Sequence, residues 1–294
     1  MGKKWRAHSP EYILAHLELL VSEYDVRHIH FEDDNLTFQN ERFERILDGV
    51  RTRKLKFTWD TPNGVRADTL DRRLLTKCKE TGCVYLVIGI ESGDPEVLDK
   101  VIRKKLSLEK VVKTIETARD VGLDMRAFYV IGFPGETKAQ MKKTLDFALH
   151  LQREYDVRPN VHIANPLIGT RLYEICRDGH FLVKGSGDDL FNLFSDEGCL
   201  KIRTEEFDPD DISELLKAFD KASRRTHHRS FIKGLMVHPK LVLHIIVKAV
   251  KDLKRLKEFC ADTVLFRHFL MKKYLPPMRA GEAEREISAV VADA

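Results

Sequence analysis

At 294 residues, with 43% hydrophobic and 33% charged residues, the chain has the composition of an ordinary globular protein able to bury a sizeable core. A formal net charge of +4 is too small for this length to argue for nucleic-acid binding. The longest apolar run, Leu241 to Val250, is broken by His244 and Lys248 and is too short to span a bilayer. Cys78, Cys83, Cys176, Cys199 and Cys260 are scattered without C-x-x-C spacing, which fits reduced cytoplasmic thiols and offers no local metal clip. No apolar h-region of a signal peptide is expected behind Met1-Gly2-Lys3-Lys4-Trp5.

Ser9-Pro10 reads as an N-cap and first helical position, followed by Ile13, Leu17, Leu20, Val21 and Tyr24 on one helix face. His28 to Phe31 is a short strand ending in Glu32-Asp33-Asp34-Asn35, and a second helix capped near Asn40 carries Phe43, Ile46, Leu47 and Val50. Lys56 to Asp60 is the next strand, ending in Thr61-Pro62-Asn63-Gly64; Asp71 caps the following helix and Gly82 closes it. Val84 to Ile90 is a near-continuous apolar strand, the pattern of a strand covered on both faces, and it ends in Glu91-Ser92-Gly93-Asp94. A helix from about Ser107 stops at Gly122. The fourth strand, Ala127 to Ile131, runs into Gly132-Phe133-Pro134-Gly135-Glu136, and Thr137 with Gln140 makes a capping box for the next helix. Asn160 to Ala164 is a fifth strand, ending in Asn165-Pro166-Leu167-Ile168-Gly169-Thr170.

Strand starts near 28, 56, 85, 125 and 160 repeat with the size of a βαβ unit. The alternation predicts an α/β fold, a parallel sheet with helices outside, as an open sheet or a barrel. The period is lost after about residue 180. Residues 181–278 are expected to form a mainly helical extension, with a loop at Gly185-Ser186-Gly187 and helices starting at Asp208-Pro209 and His238-Pro239. Residues 279–294 are expected to be a disordered tail. Lys248, Lys251, Lys254, Arg255 and Lys257 give the last helix a basic face, expected to dock on its own barrel rather than on a partner helix or an anionic membrane surface.

The strand ends are where both architectures bind ligands. Glu32-Asp33-Asp34 offers three carboxylates for an ammonium, a metal or a hydroxyl donor, or forms a solvated capping loop. Glu91-Ser92-Gly93 suits ribose hydroxyls, or is a simple turn. Gly132-x-x-Gly135-Glu136 is neither a Walker A loop nor G-x-G-x-x-G, but its bare backbone lets a flat ring approach. Arg103 and Lys104 could meet a carboxylate or phosphate, or line a solvated helix face; Asn165-Pro166 could line a purine pocket or end a strand.

As an ordered set, Phe31-Glu32-Asp33-Asp34, Asn63-Gly64-Val65-Arg66, Gly89-Ile90-Glu91-Ser92-Gly93, Ile131-Gly132-Phe133-Pro134-Gly135-Glu136 and Pro166-Leu167-Ile168-Gly169-Thr170 closely resemble the radical S-adenosylmethionine (SAM) superfamily. The resemblance covers about residues 1–180 and is to the branch often carrying an N-terminal cobalamin-binding domain. It implies a partial parallel, TIM-like (β/α) barrel. It places Glu32, Asp33 and Asp34 at the SAM amino group and Glu91 and Ser92 at its ribose and carboxylate, with Arg103 a weaker candidate. Gly132, Gly135 and Glu136 then belong to the adenine-supporting segment, Asn165 and Pro166 complete the adenine pocket, and Asn63 belongs to the second matching motif. It further implies a 4Fe–4S cluster that reduces SAM to a 5′-deoxyadenosyl radical, with methyl transfer or ring formation on a small-molecule or lipid-like substrate. The family's C-x-x-x-C-x-x-C cluster loop is absent from the sequence. The chain is therefore expected to be N-terminally truncated, to lack the first strand and any cobalamin domain, and to be unable to cleave SAM alone. The alternative expectation is a non-catalytic barrel remnant that binds SAM, a nucleotide or a partner subunit.

Overall fold

The structure, a computed structural model, describes residues 5–183 and 202–237. Ser9 accepts from the Tyr12 amide and Pro10 needs no partner for its nitrogen, so α1 (Pro10–Ser22) starts there. It is followed by β1 (His28–His30), α2 (Asn40–Thr52), β2 (Thr58–Val65), α3 (Arg72–Glu80), β3 (Cys83–Glu91) and α4 (Leu108–Asp120). Then come β4 (Asp124–Ile131), α5 (Lys138–Tyr155), β5 (Arg158–Ile163), α6 (Arg171–Asp178) and α7 (Pro209–Val237). The capping box is formed: the Thr137 hydroxyl accepts from the Gln140 amide, and the Gln140 side chain accepts from the Thr137 amide.

All five strands join one parallel sheet in chain order, β1-β2-β3-β4-β5. Right-handed crossovers between sequential parallel neighbours put every connecting helix on the same face of the sheet. Trp59 lies on that face: its ring meets Phe43 of α2 edge-on at 6.0 Å, and its indole donates to the Thr81 carbonyl at 3.1 Å. Leu74, Leu75, Leu86, Ile88, Ile90, Ile115, Tyr129 and Ile131 complete a core sealed from solvent, each aliphatic side chain contributing about 1.5–3 kcal/mol of burial. This in-order parallel α/β arrangement is that of a partial (β/α) barrel.

Element ends depart from the sequence pattern for local reasons. β2 continues through Pro62-Asn63-Gly64 because a bulge absorbs them: the rung Thr61↔Leu86 is followed by Val65↔Ile88. β4 starts at Asp124, ahead of its apolar run, since Asp124 and Arg126 alternate with buried Met125 and Ala127. Val97–Ile102 winds as a π-helical turn ending at Arg103 in the left-handed region (φ 60°), and Thr170 caps α6; the sequence pattern predicts neither element.

The sheet belongs to a compact unit spanning Met1–Ser223, which runs past the loss of the βα period at about residue 180. Leu182 bridges Ile202 antiparallel, α7 buries Ile212 and Phe219, Lys138 pairs with Asp211 at 3.0 Å, and Gln152 donates to the Ser223 carbonyl. The second unit is Arg224–Ala294, of which 224–237 are described, as the end of α7. The loop at Gly185, the helical region from His238 with its basic face, and the 279–294 tail lie outside the described residues. Among the described residues no helix is long and apolar enough to cross a membrane.

Candidate functional site

A parallel sheet delivers all its carboxyl ends to one edge, so the five strand-end clusters share a rim. At the end of β1, Glu32, Asp33 and Asp34 are exposed, and among the described residues no hydrogen bond or ion pair engages their carboxylates. The Asn63 amide, lifted by the β2 bulge, donates to the Glu32 carbonyl at 2.9 Å and ties this acidic loop to the neighbouring strand.

At the end of β3 the ladder shifts between Gly89 and Glu91, and Glu91 adopts φ 72°. That conformation costs a residue with a Cβ about 1–2 kcal/mol, so it is held by its surroundings. The holding group is Lys104, whose ammonium lies 2.9 Å from the Glu91 carboxylate and 2.7 Å from the Gly89 carbonyl. Arg103, beside it, is exposed and has no side-chain partner among the described residues.

Two of the expected contact residues are turned into the protein. Ser92 is fully buried: its hydroxyl shares a 2.8 Å hydrogen bond with Thr144 of α5 and accepts from the Asp94 amide at 3.1 Å. Thr144 also accepts from the Gly93 amide at 3.1 Å. A Cβ on Gly93 would sit 2.6 Å from Phe147 and 3.0 Å from the Thr144 backbone, so only glycine permits this approach. Ser92 and Gly93 thus bolt the β3 end to α5. Burial opposes the charge on Asp94, but Lys143 at 3.0 Å and the amides of Val97 and Glu96 outweigh it and hold its pKa low.

Glu136 is likewise sealed, with one carboxylate oxygen accepting from the amides of Gly132 at 2.8 Å and Phe133 at 3.2 Å. Burial pushes its pKa up to about 7 against the pull of those amides, and Asp94 adds a smaller upward push. Glu136 thus ties together the Gly132–Gly135 loop rather than facing solvent. Both glycines sit at positive φ, 86° and 88°, and the space beside Gly135 is open, which leaves a bare backbone shelf with Phe133 and Pro134 half-buried on it. At the end of β5 the Ala164 amide bonds the Ile131 carbonyl at 2.8 Å, bringing half-buried Asn165 and buried Pro166 beside that shelf.

Free carboxylates at one end of the rim, a lysine-oriented acceptor on the middle strand, and a bare glycine shelf at the other end suit a ligand with an ammonium, a hydroxylated sugar and a flat base. The residues present therefore fit SAM. They do not fit an iron–sulfur cluster: the described cysteines Cys78, Cys83 and Cys176 are buried on α3, β3 and α6, and burial raises each thiol, Cys176 to about 11.

The sheet face opposite the helices is polar and aromatic. His28 and His30 of β1 and Tyr85 of β3 converge on Asp60 of β2, Arg126 of β4 stacks over Tyr85 at 3.5 Å, and Phe128 meets His162 of β5 edge-on. The apolar-run criterion passes over these residues, although the period-two spacing His28-x-His30 and Thr58-x-Asp60 is their signal.

Residues 1–148 match the model of the Radical SAM superfamily. An uncharacterized methyltransferase of Pyrococcus horikoshii is 29% identical over 255 residues, covering 86% of this chain and 52% of that protein. The cytidylyl-2-hydroxyethylphosphonate methyltransferase of Streptomyces wedmorensis is 25% identical over 236 residues, 78% of this chain and 43% of that protein. The chain spans about half the length of these curated relatives. The structure of apo OxsB, a cobalamin-dependent S-adenosylmethionine radical enzyme, aligns over 100% of this chain and 46% of its own, with a TM-score of 0.54 and 16% identity, a likeness of fold. With the family match running from the first helix into α5, the chain belongs to the radical SAM superfamily.

Proposed function

We propose that this chain is the SAM-binding and substrate-binding part of a radical SAM methyltransferase. The observation that carries the proposal is the shared rim, where the unpaired Glu32-Asp33-Asp34 loop and the bare Gly132–Gly135 shelf flank the Glu91–Lys104 pair. Glu32, Asp33 and Asp34 neutralise the ligand's ammonium, and Glu91, held by Lys104, accepts from its ribose hydroxyls. Arg103 offers a guanidinium to its carboxylate. The Gly132–Gly135 backbone receives the adenine, with Asn165 and Pro166 beside it and Asn63 fixing the acidic loop. When bound, SAM supplies the methyl or radical chemistry that the family uses.

Methyl transfer is favoured over ring formation by the two methyltransferase relatives. A cobalamin requirement is supported by the cobalamin-dependent OxsB, which shares the fold, and falls to a part of the protein other than the described residues. The 4Fe–4S cluster likewise requires ligands other than the described cysteines. The substrate is a small or lipid-like molecule.

Equilibrium dialysis of the full chain against labelled SAM tests the binding role, followed by anaerobic reconstitution with iron and sulfide and assays for 5′-deoxyadenosine and S-adenosylhomocysteine. Saturable binding of one SAM per chain without turnover is expected. Lack of binding would leave the non-catalytic remnant, and sustained turnover would make the chain a self-sufficient enzyme.

A further inference from the structure

The open face of the sheet holds a constellation that the strand-end rim does not use. His28 and His30 alternate on β1, and the register sets His30 opposite Asp60 of β2. Asp60 is 2% exposed. His30 Nδ1 lies 2.7 Å from its Oδ1 and His28 Nε2 lies 3.1 Å from its Oδ2. One ligand atom from each residue falls within 4.8 Å of the other two, and the two imidazoles meet edge-on with centroids 4.6 Å apart.

We propose that His28, His30 and Asp60 form a binding site for a divalent metal ion of the zinc or ferrous type. Two neutral imidazole nitrogens and one carboxylate are a donor set for borderline first-row ions, and three protein ligands leave positions open for water or a substrate oxygen. The ion takes the place of the protons now lying between the carboxylate and the rings. The donors close from their present spread to the roughly 3 Å separations that metal–ligand bonds of about 2 Å impose.

The supports around the three residues are those a metal site needs. His28 Nδ1 lies 2.8 Å from the Thr58 hydroxyl, a partner that holds the Nδ1 proton when Nε2 gives up its own and ligates the ion. The Tyr85 phenol approaches the carboxylate from β3 and helps hold its pKa low, and Arg126, stacked on that ring at 3.5 Å, fixes its plane. Asp60 places an anion where solvent does not compensate it, which a divalent cation answers better than shared protons do. Access is from the His30 side, whose side chain is 55% exposed against 26% for His28. The site does not rest on SAM binding, since none of its residues belongs to the rim.

The test strips the full 294-residue chain of metal and titrates it with cobalt(II), read by its visible d–d bands, then with zinc in competition with a chromophoric chelator. One ion per chain is expected, with cobalt bands of nitrogen and oxygen ligation. His30→Ala, at an exposed side chain, should keep the parent's circular dichroism and bind at least about tenfold more weakly; Thr58→Val, which frees the far nitrogen of His28, should weaken binding by a smaller factor. Asp60→Asn would perturb the buried network as well as the donor set, so the decision falls on His30→Ala. No binding by the parent chain, or equal binding by His30→Ala, would overturn the site and leave a hydrogen-bonded His–Asp–His group.

Discussion

Glu136 carries a linkage between pH and stability. In the unfolded chain it ionises near 4.5, whereas burial in the fold raises it to about 7. A raised carboxyl favours the folded state fully below its unfolded pKa, and this contribution is lost as pH climbs through 7. The shift corresponds to on the order of 3 kcal/mol. Glu136→Gln keeps an acceptor for the Gly132 and Phe133 amides and carries no charge. It should be more stable than the parent by about 1–3 kcal/mol at about pH 8 and equal to it near pH 4.5, as read by urea unfolding at the two pH values. Gly93→Ala drives a Cβ to 2.6 Å from Phe147, and a loss of about 1–3 kcal/mol is expected in the same assay. Gly135→Ala meets open space and pays for its φ of 88° alone, about 1–2 kcal/mol. At this scale the sequence shows Ser92 and Glu136 as members of motifs but not what they touch. Whether a polar side chain faces a ligand or its own backbone depends on the helix packed beyond it, here α5 through Thr144.

α5 links the shelf to the β3 end, because its first turn opens directly after Glu136 and its Thr144 grips Ser92 and Gly93. Thr137→Ala removes the cap and should cost about 1 kcal/mol in thermal unfolding. Thr144→Val strands the Ser92 hydroxyl and the Gly93 amide, so about 1–3 kcal/mol is expected, together with weaker SAM binding as the Glu91 turn loosens. Helix starts are legible in the sequence where a side chain makes the cap, as at Ser9, Asp71, Ser107 and Thr137. Strand ends are not, because the Pro62–Gly64 bulge and the π turn before Arg103 arise from pairing and packing rather than composition. The open face escapes the apolar-run criterion altogether. Tyr85 and Arg126 interrupt no helix-side core residue, so β3 reads as covered on both faces while one face carries the Asp60 cluster.

For the whole molecule, the βα period is enough to give a parallel sheet in chain order and to place every candidate ligand group on one rim. The extent of the compact unit is not legible in that period. The antiparallel bridge from Leu182 to Ile202 and the burial of Ile212 on α7 are long-range contacts without local repetition. The rim is the SAM site we propose, and calorimetric titration of SAM into the full chain tests that directly. One site per chain is expected, and the triple change Glu32→Gln, Asp33→Asn, Asp34→Asn should weaken it by at least about tenfold, or 1.4 kcal/mol, with the melting temperature unchanged. Absence of SAM binding, or equal affinity in the triple variant, would contradict the account.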